Sequence, residues 1–273
     1  MPDANDRAEL LSAAVGLARL GGRIAADRIG QAETSRKADR SYITQVDFEI
    51  QDALLDVIAT EFRHHAVLVE ETLSRSERHA RIDQADTCWV IDPLDGTRNF
   101  SRALPIFSTS VAAMREGRPV VGAICNAMTG RVFAASAGCG ATLDDRPVRV
   151  RDEPPTVDTI AFLRGKSRGP ASPTIHGWVD RFAIRNIGST ALHLAFVAGG
   201  SADAAYNEQC KLWDLAAGAL LVVEAGGVVT SAVGQSLFPV NLTAYRDEDM
   251  GFLAAGPNLH AHMLADVEAG GLP

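Results

Sequence analysis

Three short apolar runs of β-type composition follow one another between residues 109 and 135, separated by turns that contain glycine or proline. Connections this short allow only antiparallel pairing, so the runs at 109–114, 120–125 and 131–135 predict a β-meander. After residue 158 the pattern changes, and predicted strands alternate with predicted helices. Such alternation is typical of an α/β arrangement. The chain therefore combines an antiparallel α+β part with an α/β part.

The remaining predicted elements fit a division into two subdomains that share one active-site seam. Helices are predicted at 8–28 and from Asp47 to residue 63, with a polar loop or irregular hairpin at 30–41 and a short strand at 42–46. Residues 1–143 form the N-terminal α+β subdomain in this prediction. Residues 144–273 form the C-terminal α/β subdomain, with predicted strands at 159–163, 183–187, 203–206, 228–230 and 251–255.

Charge and cysteine content exclude several function classes. The 273 residues include 34 acidic and 26 basic side chains, a net charge of −8, whereas nucleic-acid binding needs a basic face. The 4 cysteines form no CxxC pair, so a zinc knuckle is not indicated. The first residues lack the apolar core of a signal peptide, and no run reaches the length of a membrane span. We expect a cytoplasmic protein that binds neither nucleic acid nor membrane.

The segment at 89–100, with the sequence WVIDPLDGTRNF, concentrates the chemistry. An apolar strand leads to Asp92, Pro93 is predicted to force a turn, and Asp95 follows three residues after Asp92. Two carboxylates on one tight turn suit Mg²⁺, which prefers oxygen ligands. Gly96 and Thr97 begin a predicted short helix, whose free N–H groups suit a phosphate. An isolated Asp-Pro turn with Asp95 as a helix cap is the alternative.

The stretch Asp92-Pro-Leu-Asp-Gly-Thr-Arg-Asn-Phe resembles the signature of the inositol monophosphatase family, a superfamily of Mg²⁺-dependent, lithium-sensitive phosphatases. Four further segments agree in order, namely Thr44-Gln-Val-Asp47, Val69-Glu70-Glu71, Gly188-Ser189-Thr190-Ala191, and Trp213-Asp214 followed by Glu224-Ala-Gly-Gly. The resemblance spans residues 37–227. It implies a layered αβαβα sandwich of the inositol monophosphatase and fructose-1,6-bisphosphatase type, and a homodimer.

The resemblance also implies a metal site that holds two to three Mg²⁺ per subunit, with Mn²⁺ as a substitute. One ion would be bound by Glu70, Asp92 and the carbonyl of Leu94, and a second by Asp92, Asp95 and Asp214. A weaker third site would involve Glu70 and water. Adjacent ions of this kind bind a phosphate, activate water and stabilise the leaving oxygen. Each carboxylate has an ordinary structural explanation when taken alone, but their joint occurrence in order favours the metal site.

By the same resemblance, Asp47 and Thr97 orient the attacking water, and Glu70 assists catalysis through the third site. The backbone N–H groups of Gly96 and Thr97 would bind phosphate oxygens. A further set would contact the alcohol part of the substrate, and its members are Asp95, Gly188, Ser189, Thr190 and Asn207.

Some positions depart from the family pattern. Asn207 stands where inositol-specific members have Glu, and Thr190 where they have Ala, so the polyol pocket is altered and strict inositol specificity is not indicated. Val69 replaces the Gly of the GEE segment, and Ser41 replaces an Asp that often precedes the TxxD segment. A basic loop follows the strand at 159–163, with Arg164, Lys166 and Arg168. It could contact a second phosphate of a bisphosphate substrate, but a solvated turn is favoured.

Three functions stay open at this point. The first is Mg²⁺-dependent hydrolysis of a small phosphate monoester by activated water. The second differs in substrate only, which would be histidinol phosphate, a sugar bisphosphate or a nucleotide bisphosphate. The third belongs to another class, a catalytically silent protein that binds metal and phosphate and acts through partners.

Overall fold

The computed structural model describes residues 4–31, 34–36, 42–71, 82–164 and 172–269. The helices in these ranges are α1 Ala4–Arg28, α2 Gln45–Glu61, α3 Thr97–Phe100, α4 Pro173–Val179, α5 Thr190–Ala198, α6 Leu212–Glu224 and α7 Pro257–Glu268. The strands are β1 Thr34–Arg36, β2 Tyr42–Thr44, β3 Ala66–Val69, β4 Cys88–Asp95, β5 Ser108–Arg115, β6 Arg118–Asn126, β7 Val132–Ser136, β8 Ala141–Leu143, β9 Arg146–Val148, β10 Ile160–Arg164, β11 Ala183–Arg185, β12 Ala204–Asn207, β13 Val228–Ser231 and β14 Phe252–Ala255.

Two large sheets organise the molecule. The first has seven strands in the order β3-β4-β5-β6-β7-β8-β9. Only β3 and β4 are parallel in it; every later pair is antiparallel, which confirms the predicted meander. The second sheet has the order β11-β10-β12-β14-β13, with β10 parallel to both β11 and β12. The antiparallel β1–β2 pair forms a small separate sheet.

Side chains of alternate residues in β4 point to opposite faces of the first sheet. Trp89 and Ile91 pack with the apolar faces of α1 and α2, whereas Cys88 and Val90 pack with α5 and α6. A strand that is apolar on both faces must be covered on both sides. The first sheet is therefore enclosed between two helical layers.

The second sheet repeats this arrangement on the other side of α5 and α6. Phe162 of β10 and Ala205 of β12 face the middle helical layer, while Leu163 and Tyr206 pack outward against α4 and α7. The layers are therefore helix, sheet, helix, sheet and helix, as the resemblance implies. The described residues include no helix that is both long enough and apolar enough to cross a membrane.

The structure corrects the expected turn at Pro93. Strand β4 continues through this residue to Asp95, and its pairing with β5 shifts register between Asp92 and Asp95. A bulge accommodates proline in a strand because the missing N–H is not needed for the ladder there. The bulge, rather than a turn, sets the positions of the two carboxylates.

Helix α2 begins two residues earlier than predicted, and the strand before it is shorter. The hydroxyl of Thr44 accepts from Val46 N over 3.2 Å, and Asp47 accepts from the N–H of Thr44 over 2.8 Å. This reciprocal capping box begins the helix at Gln45. The first sheet also extends to Val148, five residues past the predicted boundary at 143, and the two-subdomain division stays a prediction.

Candidate metal and phosphate site

Three carboxylates from distant parts of the chain meet at one edge of the first sheet. Glu70 directly follows β3, Asp92 lies in the neighbouring strand β4, and Asp214 lies in the first turn of α6. The N–H of Glu70 donates to Ile91 O over 3.3 Å, which ties the end of β3 to β4. One ligand oxygen of each carboxylate lies within 4.8 Å of the others. The structure thus brings together three of the sequence-predicted metal ligands.

These carboxylates repel one another in a poorly solvated place. Loss of solvation, followed by the charges of Glu70 and neighbouring aspartates, raises the pKa of Asp92 well above its usual range. Loss of solvation, with Asp95 and Glu70 next, raises the pKa of Asp214 to about 7. A divalent cation would relieve this repulsion, and an all-oxygen donor set suits Mg²⁺. The residues present therefore fit the implied metal.

Asp95 lies outside that cluster of three and faces the start of α5 instead. Its Oδ2 accepts from the Ser189 hydroxyl over 2.5 Å, from Ala191 N over 2.7 Å and from the Ser108 hydroxyl over 3.4 Å. Its Oδ1 accepts from Thr190 N over 3.2 Å. These bonds partly offset burial, which raises the pKa of this carboxyl. Asp95 connects the motif of the first sheet to the helical layer, and its role as a ligand stays a prediction.

A second pair of residues flanks the cluster. The Thr97 hydroxyl lies 3.1 Å from Asp47 Oδ1 and 2.9 Å from Leu94 O and can donate its single proton to either of them, while Asp47 Oδ2 accepts from the Thr44 hydroxyl over 2.6 Å. Burial is the largest cause that raises the pKa of Asp47 to about 6, and Glu70 adds to it. Leu94 O, the predicted carbonyl ligand, thus lies within hydrogen-bond reach of the Thr97 hydroxyl.

Gly96 directly precedes α3, at its N-cap position, in a conformation that favours glycine. Its φ is 100°, and a Cβ there would lie 3.0 Å from Ile106 O. Asp92 Oδ1 accepts from Leu94 N over 3.0 Å, which fixes the backbone just before this turn. The first-turn N–H groups of a helix have no acceptor within the helix, so those at Gly96 and Thr97 can face an anion.

Asn99 holds this segment against the loop that precedes α5. Its Nδ2 donates to Ile106 O and to Ile187 O, each over 2.7 Å. A Cβ at Gly188 would lie 2.8 Å from that amide nitrogen, and Gly188 has a φ of 78°. This glycine is therefore explained by the close approach of Asn99, and its predicted contact with substrate stays a prediction.

The two positions that depart from the inositol-specific pattern are buried. Thr190 and Asn207 are both 0% exposed. The Thr190 hydroxyl accepts from Asn207 Nδ2 over 3.4 Å and from Arg164 Nη1 over 3.1 Å. Arg164 is partly exposed at the end of β10, whereas Lys166, Arg168 and Ser41 lie outside the described residues.

Several residues of this site were not predicted from the sequence. Ser108 and Ala191 bind Asp95, and Asn99 joins two segments. Asn99 lies inside the recognised motif, so its position was a signal. Ala191 likewise lies inside the recognised segment at 188–191. Ser108 gave no signal, because its function depends on which distant carboxylate it meets. Val69, in place of Gly, ends β3 in extended conformation and packs in the core with α1 and α2.

Comparisons with known proteins agree with this arrangement. A model of the inositol monophosphatase family matches residues 6–271. The Nus factor SuhB of Pasteurella multocida is 34% identical over 232 residues, which cover 81% of this chain and 84% of that protein. The crystal structure of the extragenic suppressor protein SuhB from Bartonella henselae has a TM-score of 0.85 at 25% identity. The superposition covers 96% of this chain and 99% of that chain.

The IMPase of Thermotoga maritima has a TM-score of 0.81 at 25% identity, and the superposition covers 96% of this chain and 97% of that one. Because the family model covers nearly the whole chain and a relative at 34% identity covers four fifths of it, the chain belongs to the inositol monophosphatase family.

Proposed function

We propose that this protein is a Mg²⁺-dependent phosphatase that hydrolyses a small phosphate monoester. The observation that carries the proposal is the convergence of Glu70, Asp92 and Asp214, whose oxygens lie within 4.8 Å of one another. Family membership supports it independently. A charged phosphate ester approaches such a site only when cations offset the carboxylates.

Each group of residues has a part in this proposal. Glu70, Asp92 and Asp214 hold the metal, with Asp95 and the carbonyl of Leu94 as further candidate ligands. Mg²⁺, or Mn²⁺ in its place, supplies positive charge that activates water and stabilises the phosphate in the transition state. Asp47 and Thr97 orient the water through their 3.1 Å hydrogen bond. The N–H groups of Gly96 and Thr97 hold phosphate oxygens.

A second candidate function comes from the relatives named Nus factor SuhB. A protein of this kind would act through macromolecular partners, with the metal and phosphate site catalytically silent. The carboxylate cluster together with the Asp47–Thr97 pair favours turnover, because binding alone does not require an oriented water. We expect a homodimer in the cytoplasm, which light scattering and fractionation would check.

Phosphate release from p-nitrophenyl phosphate tests the proposal. We expect turnover with Mg²⁺ that is lost after chelation and restored by added Mg²⁺ or Mn²⁺. Asp214→Asn removes one charge of the cluster and is expected to abolish turnover, whereas Asp158→Asn changes an exposed carboxylate away from the site and serves as the control. Turnover that survives exhaustive chelation contradicts the mechanism. A folded wild-type protein with no phosphate release from any ester supports the silent alternative.

A further inference from the structure

Arg164 lies at the margin of the site, beside the buried residues Thr190 and Asn207. It is the last residue of β10 and pairs in register with Asn207 of the parallel strand β12. Alternation along β10 places Arg164 on the same face as Phe162, which packs against the middle helical layer. A cation therefore points toward α5 and the acidic cluster rather than into solvent.

One residue separates this guanidinium from the carboxylate of Asp95. Arg164 Nη1 donates to the Thr190 hydroxyl over 3.1 Å, and the N–H of Thr190 donates to Asp95 Oδ1 over 3.2 Å. Asn207 Nδ2 donates to the same hydroxyl over 3.4 Å. Thr190 and Asn207 are fully buried, so they hold the guanidinium in place and leave it as the group that a ligand meets.

The charge of Arg164 has no direct partner in the described parts of the chain, where its hydrogen bond goes to a neutral hydroxyl. A partly buried cation is unfavourable unless an anion pairs with it. With one Nη bonded to Thr190, the remaining donors of the planar fork can bind two oxygens of one anion.

We propose that Arg164 is a specificity-determining residue that binds an anionic group, a carboxylate or a second phosphate, on the alcohol part of the substrate. This inference rests on the proposed function and names its substrate class. The ester phosphate binds at the carboxylate cluster. The second anion binds on the β10–β12 side, beyond Thr190.

Two matched pairs of esters test it. Glycerol 1-phosphate and 3-phosphoglycerate differ by a carboxylate, and inositol 1-phosphate and inositol 1,4-bisphosphate differ by a phosphate. We expect wild-type kcat/KM to favour the anionic member of one pair by about 10- to 100-fold, the range of one charge-assisted hydrogen-bonded contact. The pair that shows the preference identifies the anion.

Arg164→Met keeps the length of the side chain and removes its charge. It is expected to abolish the preference within that pair, mainly through a higher KM for the anionic member, and Arg164→Lys is expected to retain part of it. Arg185→Met changes an arginine at the exposed end of β11 and should leave kcat/KM for all four esters unchanged. Thermal unfolding of each variant checks that it is folded.

The inference is overturned if wild type shows no preference in either pair, or if Arg164→Met lowers kcat/KM by the same factor for both members. A merely structural role predicts the second result. Failure of the proposed function is a separate outcome, seen as no phosphate release from any ester. In that case calorimetry measures the dissociation constants of both members of each pair for wild type and for Arg164→Met. The inference then requires that wild type bind the anionic member of one pair more tightly and that Arg164→Met abolish this preference.

Discussion

The hydroxyl of Thr97 lies 3.1 Å from Asp47 Oδ1 and 2.9 Å from Leu94 O, and its single proton serves one acceptor at a time. The other oxygen of Asp47 is held by both the N–H and the hydroxyl of Thr44. The capping box of α2 therefore sets the orientation of a buried carboxylate beside the cluster of Glu70, Asp92 and Asp214. One lone pair of Asp47 Oδ1 is available for a water whenever Thr97 donates to Leu94.

Replacing Thr97 by Val removes this hydroxyl with little change in shape. We expect kcat to fall about 100-fold, the usual contribution of a positioned acid–base group, because the water is no longer oriented. Thr97→Ser restores the hydroxyl and should recover most of the rate. Thr243→Val, at an exposed loop position, is the control. Equal kcat values for wild type and Thr97→Val would show that the hydroxyl does not act in the reaction.

Stabilisation by Mg²⁺ should grow with pH. The folded-state pKa of Asp214 is raised to about 7, against about 4 in an unfolded chain, so the metal-free folded state holds the extra proton between these values. Carboxylates must be deprotonated to bind a metal. The increase in Tm caused by a fixed Mg²⁺ concentration is therefore expected to be larger at pH 8 than at pH 5.5, as measured by scanning calorimetry.

The Asp214→Asn variant is the control for this effect, since it removes one charge from the cluster. Its increase in Tm at pH 8 should be smaller than that of wild type. An equal increase at both pH values in wild type would place the bound ion away from these carboxylates.

Asn99 is expected to contribute to stability through its two backbone contacts. Asn99→Ala leaves Ile106 O and Ile187 O without this donor, and one unsatisfied buried group costs about 1–3 kcal/mol. Urea unfolding should show a loss in this range. Asn126→Ala removes an exposed contact to Thr129 N and should change the free energy of unfolding by less than about 0.5 kcal/mol. Similar losses for both variants would contradict the joining role of Asn99.

The local sequence pattern was sufficient to predict the strand pairing of the first sheet. It was insufficient to predict the strand order of the second sheet. Short turns between the apolar runs at 109–114, 120–125 and 131–135 left antiparallel pairing as the only arrangement. In the second sheet, β12 lies between β10 and β14, an order that depends on how α5 and α6 pack against strands far away in sequence. The hydrophobic periodicity of a segment does not show which distant strands and helices it packs against.

The residues of the site also differ in how well the sequence predicted them. Glu70, Asp92 and Asp214 were predicted from the motifs that contain them, and the structure brings them together. Arg164 was favoured as part of a solvated turn because charged runs usually lie at the surface. Its partly buried position follows from the alternation of β10, where Phe162 shares its face, and from a register with β12 that only the folded sheet defines.

The register of Arg164 with Asn207 leads to a further prediction. Asn207→Glu places a carboxylate on the neighbouring strand, on the same face as the guanidinium. The two charges should pair, because a buried carboxylate is costly without a partner. The guanidinium is then no longer available to a substrate anion, so the preference between the members of each matched ester pair should fall toward one.

A double-mutant cycle measures this pairing directly. In the Arg164→Met background, the glutamate introduced at position 207 has no guanidinium to pair with, so Asn207→Glu should destabilise that protein more than it destabilises wild type. We expect a coupling free energy of about 1–3 kcal/mol from urea unfolding of the four proteins, because the two side chains are neighbours on one face of the sheet. A coupling near zero would mean that the side chain at position 207 does not reach Arg164. The loss of selectivity in Asn207→Glu would then have to come from Thr190, whose hydroxyl accepts from both residues in the wild-type structure.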